Sequence, residues 1–146
     1  MKTRTFLHAL DHARIVKAIG QAEERSRGEL RVHVSARAVD DAQTAAARQF
    51  EKLGMTKTAE RNGVLLFVAP ASQSFAVIGD SGIHAHCGPE FWTEVAAAME
   101  SDFRGGRYTD GILKGIGRLG DALAAHFPRQ QGVADHNELP DHVTED

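Results

Sequence analysis

Oxygen-bearing side chains beside predicted turns are the groups of this sequence best placed to do chemistry. Asp80 lies in a glycine-bracketed loop, Gly-Asp-Ser-Gly at 79–82, directly after an apolar segment. Glu29 and Asn62 each stand just before another apolar segment. Carboxylate and amide oxygens are the ligands that Ca²⁺ and Mg²⁺ prefer in proteins. If the three side chains converge, they predict a divalent-cation site that contains no strong nucleophile.

Basic residues near this loop could hold an anion beside such a cation. Arg61 directly precedes Asn62, and His84 follows the acidic loop by two residues. Arg104 and Arg107 flank a pair of glycines further along the chain. A guanidinium matches the geometry of a phosphate or a carboxylate. We therefore take Arg61, Arg104 and His84 as candidate anion-binding residues.

A structural interpretation of the same residues competes with the cation site. Asp80 and Asn62 could serve only to hydrogen-bond the backbone of their turns. Arg61 could pair with Glu29 at the surface, where an ion pair adds little stability. Residue types alone leave both interpretations open.

Several short patterns resemble known catalytic or metal-binding motifs but lack the rest of the machinery. The tetrapeptide at 79–82 matches the sequence around the nucleophile of chymotrypsin-like proteases, yet the chain is too short and too helical for that fold. His-Ala-His-Cys at 84–87 could bind zinc, but three neighbouring side chains rarely close a tetrahedral site. The Asp40-Asp41 pair is better explained as a helix cap than as a phosphate acceptor. We assign no catalytic residue.

Composition limits the class of protein. The 146 residues and 42% hydrophobic content fit one compact domain. Of the net charge of −3, residues 129–146 contribute −4, so residues 1–128 are nearly neutral and do not favour a nucleic-acid partner. Cys87 is the single cysteine, so no internal disulfide forms. We see neither a membrane-spanning run of roughly 18 apolar residues nor the apolar stretch of a leader, and we expect a cytoplasmic protein without a transmembrane segment.

Helical periodicity and capping residues predict four helices. They run from Asp11 to residue 27, from Asp40 or Asp41 to Gly54, from Pro89 through Met99, and from Thr109 to Pro128. The last of them contains four glycines, at positions 111, 115, 117 and 120. Each glycine costs helix propensity of about 1 kcal/mol relative to alanine. We expect close packing of this helix against the sheet to offset that cost.

Three strands are predicted between these helices. Residues 29–35 alternate in polarity, which predicts a strand with one face buried more deeply than the other. Residues 64–69 are apolar without alternation, which predicts a central strand covered on both faces. Residues 75–78 return after a short turn and should pair with that central strand as an antiparallel hairpin.

The order of these elements predicts an α/β fold. We expect a three-layer α/β/α sandwich with a small mixed sheet, a parallel pair plus an antiparallel hairpin, flanked by helices. Asp80, at the end of the third strand, should then lie at the sheet edge where Glu29 and Asn62 begin the other two. We assign residues 1–128 to this single domain and residues 129–146 to an acidic, disordered tail.

Four segments, in this order, resemble the TPM-domain family, which is named for a thylakoid-lumen protein, a photosystem II repair factor and a receptor modulator. They are Gly-Glu-Leu-Arg-Val at 28–32, Arg-Asn-Gly-Val-Leu-Leu at 61–66, Ile-Gly-Asp-Ser-Gly-Ile-His at 78–84, and Phe-Arg-Gly-Gly at 103–106 running into Tyr108 and Asp110-Gly111. The resemblance implies an α/β/α sandwich, divalent-cation binding in some members, and the acid phosphatase activity proposed for the thylakoid member. The loop departs from the pattern of many members, which carry an aromatic residue after its first glycine.

The leading hypothesis is a TPM-like module that binds Ca²⁺ or Mg²⁺ at a loop edge through Asp80, Glu29 and Asn62 and presents a surface to a partner protein, membrane-associated proteins included. One alternative is a weak metal-assisted acid phosphatase, in which Arg61 or Arg104 steadies the developing charge. A second is a purely structural adaptor that acts through its acidic tail. The sequence leaves open the physiological ion, any substrate, the partner and the oligomeric state.

Overall fold

The computed structural model describes residues 1–129 and 143–146, which form six α-helices and four strands. The helices are α1 (Thr3–Ala9), α2 (His12–Glu24), α3 (Ala42–Lys52), α4 (Ser81–Cys87), α5 (Pro89–Arg104) and α6 (Tyr108–His126). The strands are β1 (Glu29–Val34), β2 (Gly63–Ala69), β3 (Ser74–Gly79) and β4 (Val143–Glu145). Within these ranges, no helix combines the length and the apolar character that a bilayer crossing requires.

The four strands form one mixed sheet in the order β3-β2-β1-β4. β1 and β2 are parallel, and β2 and β3 form an antiparallel hairpin. Helices cover both faces of this sheet, so the predicted α/β sandwich is confirmed. The sheet differs from the prediction by one strand, because β4 pairs with β1 in parallel.

β2 is covered on both faces, as its unbroken apolar run predicts. Alternate side chains enter two separate cores. Val64, Leu66 and Val68 pack with residues of α2, α5 and α6. Leu65, Phe67 and Ala69 pack with residues of α3. The central strand therefore joins the two helical layers.

Two of the predicted helix caps are confirmed and one is wrong. The Asp11 carboxylate accepts a hydrogen bond from Arg14 N at 3.2 Å, and the Asp41 carboxylate caps α3 in the same way. Thr109 is not a cap, because α6 already begins at Tyr108. Its hydroxyl oxygen accepts a hydrogen bond from Asp11 N at 3.0 Å instead, which ties the start of α2 to the start of α6.

The glycines of α6 allow close contact with neighbouring helices rather than with the sheet alone. A Cβ atom at Gly111, Gly115 or Gly120 would lie 2.6, 2.7 and 2.9 Å, respectively, from a side chain of α5 or α2. The expectation of close packing is therefore confirmed for these three, with helices as the main partners. It is wrong for Gly117, whose added Cβ would meet open space.

The polar face of β1 is buried as deeply as its apolar face. Glu29, Arg31 and His33 are only 4%, 4% and 1% exposed. The His33 ring also stacks on Phe67 of β2, with ring centroids 5.8 Å apart. Alternating polarity thus correctly predicts a strand but does not reveal that both of its faces are covered.

Residues 143–146 lie against the sheet, within the segment for which the sequence predicts a disordered tail. The Asp146 carboxylate contacts His33 Nε2 at 2.6 Å and accepts hydrogen bonds from Ser35 Oγ at 2.7 Å and Ala36 N at 2.8 Å. Thr144 Oγ1 lies 2.8 Å from His33 Nδ1. The remainder of the predicted tail, residues 130–142, lies outside the described residues.

Attachment of β4 is expected to weaken in acid because of Asp146. Burial acts to raise the pKa of this carboxyl, but hydrogen bonds from Ser35, His33 and Ala36 N outweigh it and leave the pKa below its ordinary value. A lowered pKa contributes stability that is present above the unfolded-state value of about 4 and is lost as the pH falls through the folded-state value. Asp146→Asn should therefore be less stable than wild type at pH 7, with the difference disappearing in strong acid.

Urea unfolding at a series of pH values measures this difference. Asp121→Asn is a matched control, because the ion pair that Asp121 forms with Arg25 is exposed. Equal destabilisation by the two variants at pH 7 would contradict the prediction.

Candidate functional site

The starts of β1 and β2 and the end of β3 meet at one edge of the sheet, as predicted. Glu29 pairs with Gly63 in the parallel register. Asp80 N donates a hydrogen bond to the carbonyl oxygen of Gly63 at 2.9 Å. Glu29, Gly63 and Asp80 therefore form a row across three strands, with about 10 Å between the outer two Cα atoms. We call this row, together with the adjoining Asn62, the rim.

The Asp80 side chain of the rim forms a bidentate ion pair with Arg61. Arg61 Nε donates to its Oδ2 at 2.7 Å, and Arg61 Nη2 donates to its Oδ1 at 2.9 Å. The Asp80 side chain is 7% exposed, whereas the Arg61 side chain is 49% exposed. The hydrogen bonds to Asp80 raise the pKa of the Arg61 guanidinium above its ordinary value. The predicted anion-binding arginine thus already holds an anion, namely Asp80 and not Glu29.

The backbone of Arg61 places this ion pair. Arg61 has a positive φ of 52°, and its carbonyl oxygen accepts hydrogen bonds from Gly82 N at 2.8 Å and Ile83 N at 3.3 Å. Those amides belong to the first turn of α4, where no earlier residue of the helix supplies an acceptor. Asp80 caps the same turn, since its Oδ1 also accepts from Ser81 N at 2.8 Å. The turn before β2 and the start of α4 therefore hold each other in place.

A second arginine and carboxylate pair lies next to the rim and was not predicted. Arg27 Nε and Nη2 donate to the two carboxylate oxygens of Glu60, each at 2.9 Å. These hydrogen bonds hold the pKa of the Glu60 carboxyl below its ordinary value. Asn62 Nδ2 donates to the Arg27 carbonyl oxygen at 3.2 Å. The Asn62 side chain thus supports this pair and the loop that precedes β1.

The rim contains the carboxylate and amide oxygens that a hard cation prefers, but the Asp80 carboxylate already binds Arg61. Both oxygens of Asp80 accept from Arg61, and Glu29 is buried at the start of β1. Residues 1–129 and 143–146 contain no cluster of three acidic, histidine or cysteine side chains arranged to hold a metal. A divalent cation would therefore bind to Asp80 in exchange for the Arg61 guanidinium.

His84 lies one turn into α4, beside the end of β3. Trp92 Nε1 donates a hydrogen bond to His84 Nδ1 at 2.8 Å, and the two rings are stacked. Because the indole N–H is only a donor, Nδ1 must accept, and the hydrogen of a neutral His84 lies on Nε2. His84 therefore follows the rim residue Asp80 by four positions along the chain, and its Nδ1 holds the Trp92 side chain.

Arg104 lies at the opposite edge of the sheet from Asp80, so the prediction that it belongs to the rim is wrong in its geometry. Arg104 ends α5, which is about 24 Å long and extends along β3. Its Nη2 contacts Glu100 Oε1 at 2.6 Å, and it lines a cavity of about 560 Å³ beside Ser74, the first residue of β3. Arg107 pairs with the buried carboxylate of Asp102 at 2.9 Å. Neither arginine can share an anion with Arg61.

Cys87 ends α4 and is the one thiol of the chain. Partial burial raises the pKa of this thiol above its ordinary value. A raised pKa reduces the fraction of reactive thiolate at neutral pH. The surroundings of Cys87 therefore do not favour a nucleophilic role.

Comparison with known proteins places these features in a wider group. The family model described as the TPM domain matches residues 2–122. The NMR structure of the BA42 protein from the psychrophilic bacterium Bizionia argentinensis is similar, with a TM-score of 0.83 and 34% identity over 92% of each chain. The N-terminal domain of a protein from P. gingivalis shares the fold, with a TM-score of 0.61 and 17% identity over 79% of this chain and 76% of that one. No curated protein matches.

Proposed function

Since this chain belongs to the TPM-domain family, we propose that it is a binding module whose rim takes up Ca²⁺ or Mg²⁺ at Asp80 and presents a surface to a partner protein. Asp80 would be the main ligand, with Asn62 and Glu29 as the further oxygen donors. In the absence of the cation, the Arg61 guanidinium occupies its place.

The bidentate pair of Arg61 and Asp80 is the observation that supports this proposal. The Asp80 carboxylate is nearly buried and faces the positively charged guanidinium of Arg61, whose long side chain is half-exposed and flexible. The guanidinium can therefore move into water without unfolding the domain, whereas the carboxylate stays in place. A divalent ion would then be attracted by the same buried charge. Because the ion must displace an existing charge partner, we expect weak affinity, with a Kd of about 1 mM, the range of extracellular calcium modules.

The phosphatase and adaptor alternatives receive no separate support. Arg104, one of the two arginines suggested for phosphate, lies at the far edge of the sheet. Most of the acidic segment invoked by the adaptor hypothesis lies outside the described residues. The cytoplasmic location expected from the sequence stays part of the proposal.

Removing Arg61 is expected to strengthen cation binding. Arg61→Gln leaves the Asp80 carboxylate without its guanidinium, so Ca²⁺ or Mg²⁺ should bind at least about tenfold more tightly than to wild type, a gain of about 1.4 kcal/mol. Asp80→Asn should abolish binding. Calorimetric titration of the full chain with each ion, together with NMR shifts of the amides of residues 79–82, measures both effects.

Arg27→Gln is the matched control for this experiment. It removes the same charge from the neighbourhood of the rim, but its partner is Glu60 and not Asp80. If both arginine variants strengthen binding equally, the effect is one of overall charge and the exchange at Asp80 is refuted. Failure of Arg61→Gln to bind either ion at about 10 mM, well above the expected Kd, would also refute it.

A further inference from the structure

We infer that the outer edge of β3 is a docking site for an extended peptide segment of a partner protein, which adds to the sheet as a further strand and places a carboxylate at Arg104. The inference rests on the partner-binding part of the proposed function and does not require the cation. Its basis is the backbone of β3, the groove beside it and the charge at one end of that groove.

Alternate residues of β3 direct their backbone groups away from the rest of the sheet. Asp80 N donates to Gly63 O, and hydrogen-bonded pairs alternate along an antiparallel ladder. Residues 74, 76 and 78 therefore bond to β2, whereas Phe75, Val77 and Gly79 point their N–H and C=O groups outward. Within residues 1–129 and 143–146, β3 is the outermost strand on its side of the sheet. These three residues offer a peptide a regular row of donors and acceptors, Phe75 and Gly79 from half-buried positions and Val77 from a buried one.

A groove of about 500 Å³ lies beside this edge, walled by α3 and α5. Its floor is β3, and Trp92 of α5 packs so closely on Gly79 that a Cβ there would come within 2.1 Å of the indole ring. No lysine, arginine, aspartate or glutamate is among the described residues that line it. Exposed edge strands are usually protected from pairing by a charge, a proline or a bulge, and Ser-Phe-Ala-Val-Ile-Gly has no charge and no proline. An uncharged strand fits this groove.

The outer edge of β3 lies between α3 and α5, and these helices limit which partners can pair with it. Gln43 of α3 lies on one side of the groove, and Thr93 and Ala96 of α5 lie on the other. A second copy of this chain would approach with its own α3 and α5 beside its β3 edge, and both pairs of helices would need room in the groove. A single extended segment has no such flanking helices. We therefore commit to a peptide segment and not to a second copy.

Charge at one end of the groove specifies a carboxylate on the peptide. The cavity that contains Arg104 shares Phe75 with the groove, so the two adjoin at β3. The Arg104 side chain is 79% exposed, and Glu100 engages it through Nη2. A guanidinium carries five N–H donors, so Arg104 can bind a second carboxylate. A peptide that pairs with β3 and extends past Ser74 reaches this position.

A defined decapeptide tests the inference. The probe alternates Thr and Val, carries Asp at both ends and a fluorescent label, and is titrated with the full chain in EDTA while anisotropy is recorded. We expect a Kd of about 100 µM or tighter. A probe with N-methyl groups on alternate amides should bind at least about tenfold more weakly, because it lacks the backbone donors. Hydrogen exchange at Phe75, Val77 and Gly79 should slow in the complex.

Two protein variants form a matched pair. Ala96→Arg fills the groove with a long charged side chain and should weaken probe binding at least about tenfold, whereas Ala97→Arg, on the exposed side of α5, should change it by less than about twofold. Arg104→Gln should remove the preference for Asp over Lys at the peptide ends. Thermal unfolding of each variant confirms that the fold is kept.

The inference is overturned if the probe does not bind at about 1 mM, the weakest affinity that the assay resolves. Equal binding of the N-methylated probe, equal effects of Ala96→Arg and Ala97→Arg, or protection that avoids β3 would overturn it as well. Because EDTA removes divalent ions, failure here is separate from failure of the calorimetric experiment on Asp80.

Discussion

Replacing Gly82 with alanine is expected to destabilise the domain by about 3 kcal/mol, at the upper end of the cost of overpacking. A Cβ at this position would lie 2.1 Å from the carbonyl oxygen of Glu60 and 2.6 Å from that of Arg61. Both atoms belong to backbone and cannot rotate away. The turn before β2 would have to move, and the hydrogen bond from Gly82 N to Arg61 O at 2.8 Å would be lost.

Gly117→Ala is the control for this substitution. It makes the same chemical change within a helix, but nothing lies within 4 Å of the added Cβ. We expect it to stabilise the domain by about 0.5–1 kcal/mol, because alanine is the better helix former. Guanidinium unfolding followed by circular dichroism measures both variants. If Gly82→Ala and Gly117→Ala have similar midpoints, the close approach of α4 to the turn before β2 is refuted.

Replacing His33 with alanine is expected to cost about 2–4 kcal/mol of unfolding free energy, from the cavity it leaves and the hydrogen bonds it removes. The ring is 1% exposed, stacks on Phe67 and contacts Asp146 and Thr144 of the β4 segment. Its loss leaves Ser35 Oγ and Ala36 N as the partners of the Asp146 carboxylate within the described residues. The β4 segment should then exchange its amide hydrogens much faster than the rest of the sheet.

His33→Gln separates the two contributions. Its amide can still donate to Asp146, but it cannot stack on Phe67 as an aromatic ring does. We expect this variant to retain β4 and to lose only part of the stability. If both variants leave amide exchange in β4 unchanged, the contact between His33 and Asp146 does not hold this strand.

The sequence predicts the central strands β2 and β3 better than the short elements α1, α4 and β4. The apolar run of β2 and the hairpin with β3 determine most of the sheet, since a strand buried on both faces needs helices above and below. α1 and α4 were not predicted, because seven residues show too little periodicity. α4 also depends on a distant acceptor, the Arg61 carbonyl oxygen. β4 is three residues long and is specified by contacts with His33 rather than by its own pattern.

The convergence of the rim residues could be predicted, but the pairing of their side chains could not. The directions of three strands were enough to bring Glu29, Asn62 and Asp80 to one edge. Which arginine meets which carboxylate depends on the positive φ of Arg61, and such a conformation is rare for residues other than glycine. The prediction that Arg104 lies near the rim fails because its position depends on the length and direction of α5. The glycine pair that follows Arg104 in the sequence reveals neither.

Pairing between β1 and β4 also bears on how the newly made protein matures. Thr144 and His33 are 111 positions apart, so this contact waits until the segment that contains Thr144 has emerged from the ribosome. The hairpin of β2 and β3 involves only neighbouring segments and can assemble during translation. Between those two moments, the flank of β1 that later pairs with β4 is open to chaperones and to other nascent chains, and the arrival of β4 ends that period of vulnerability.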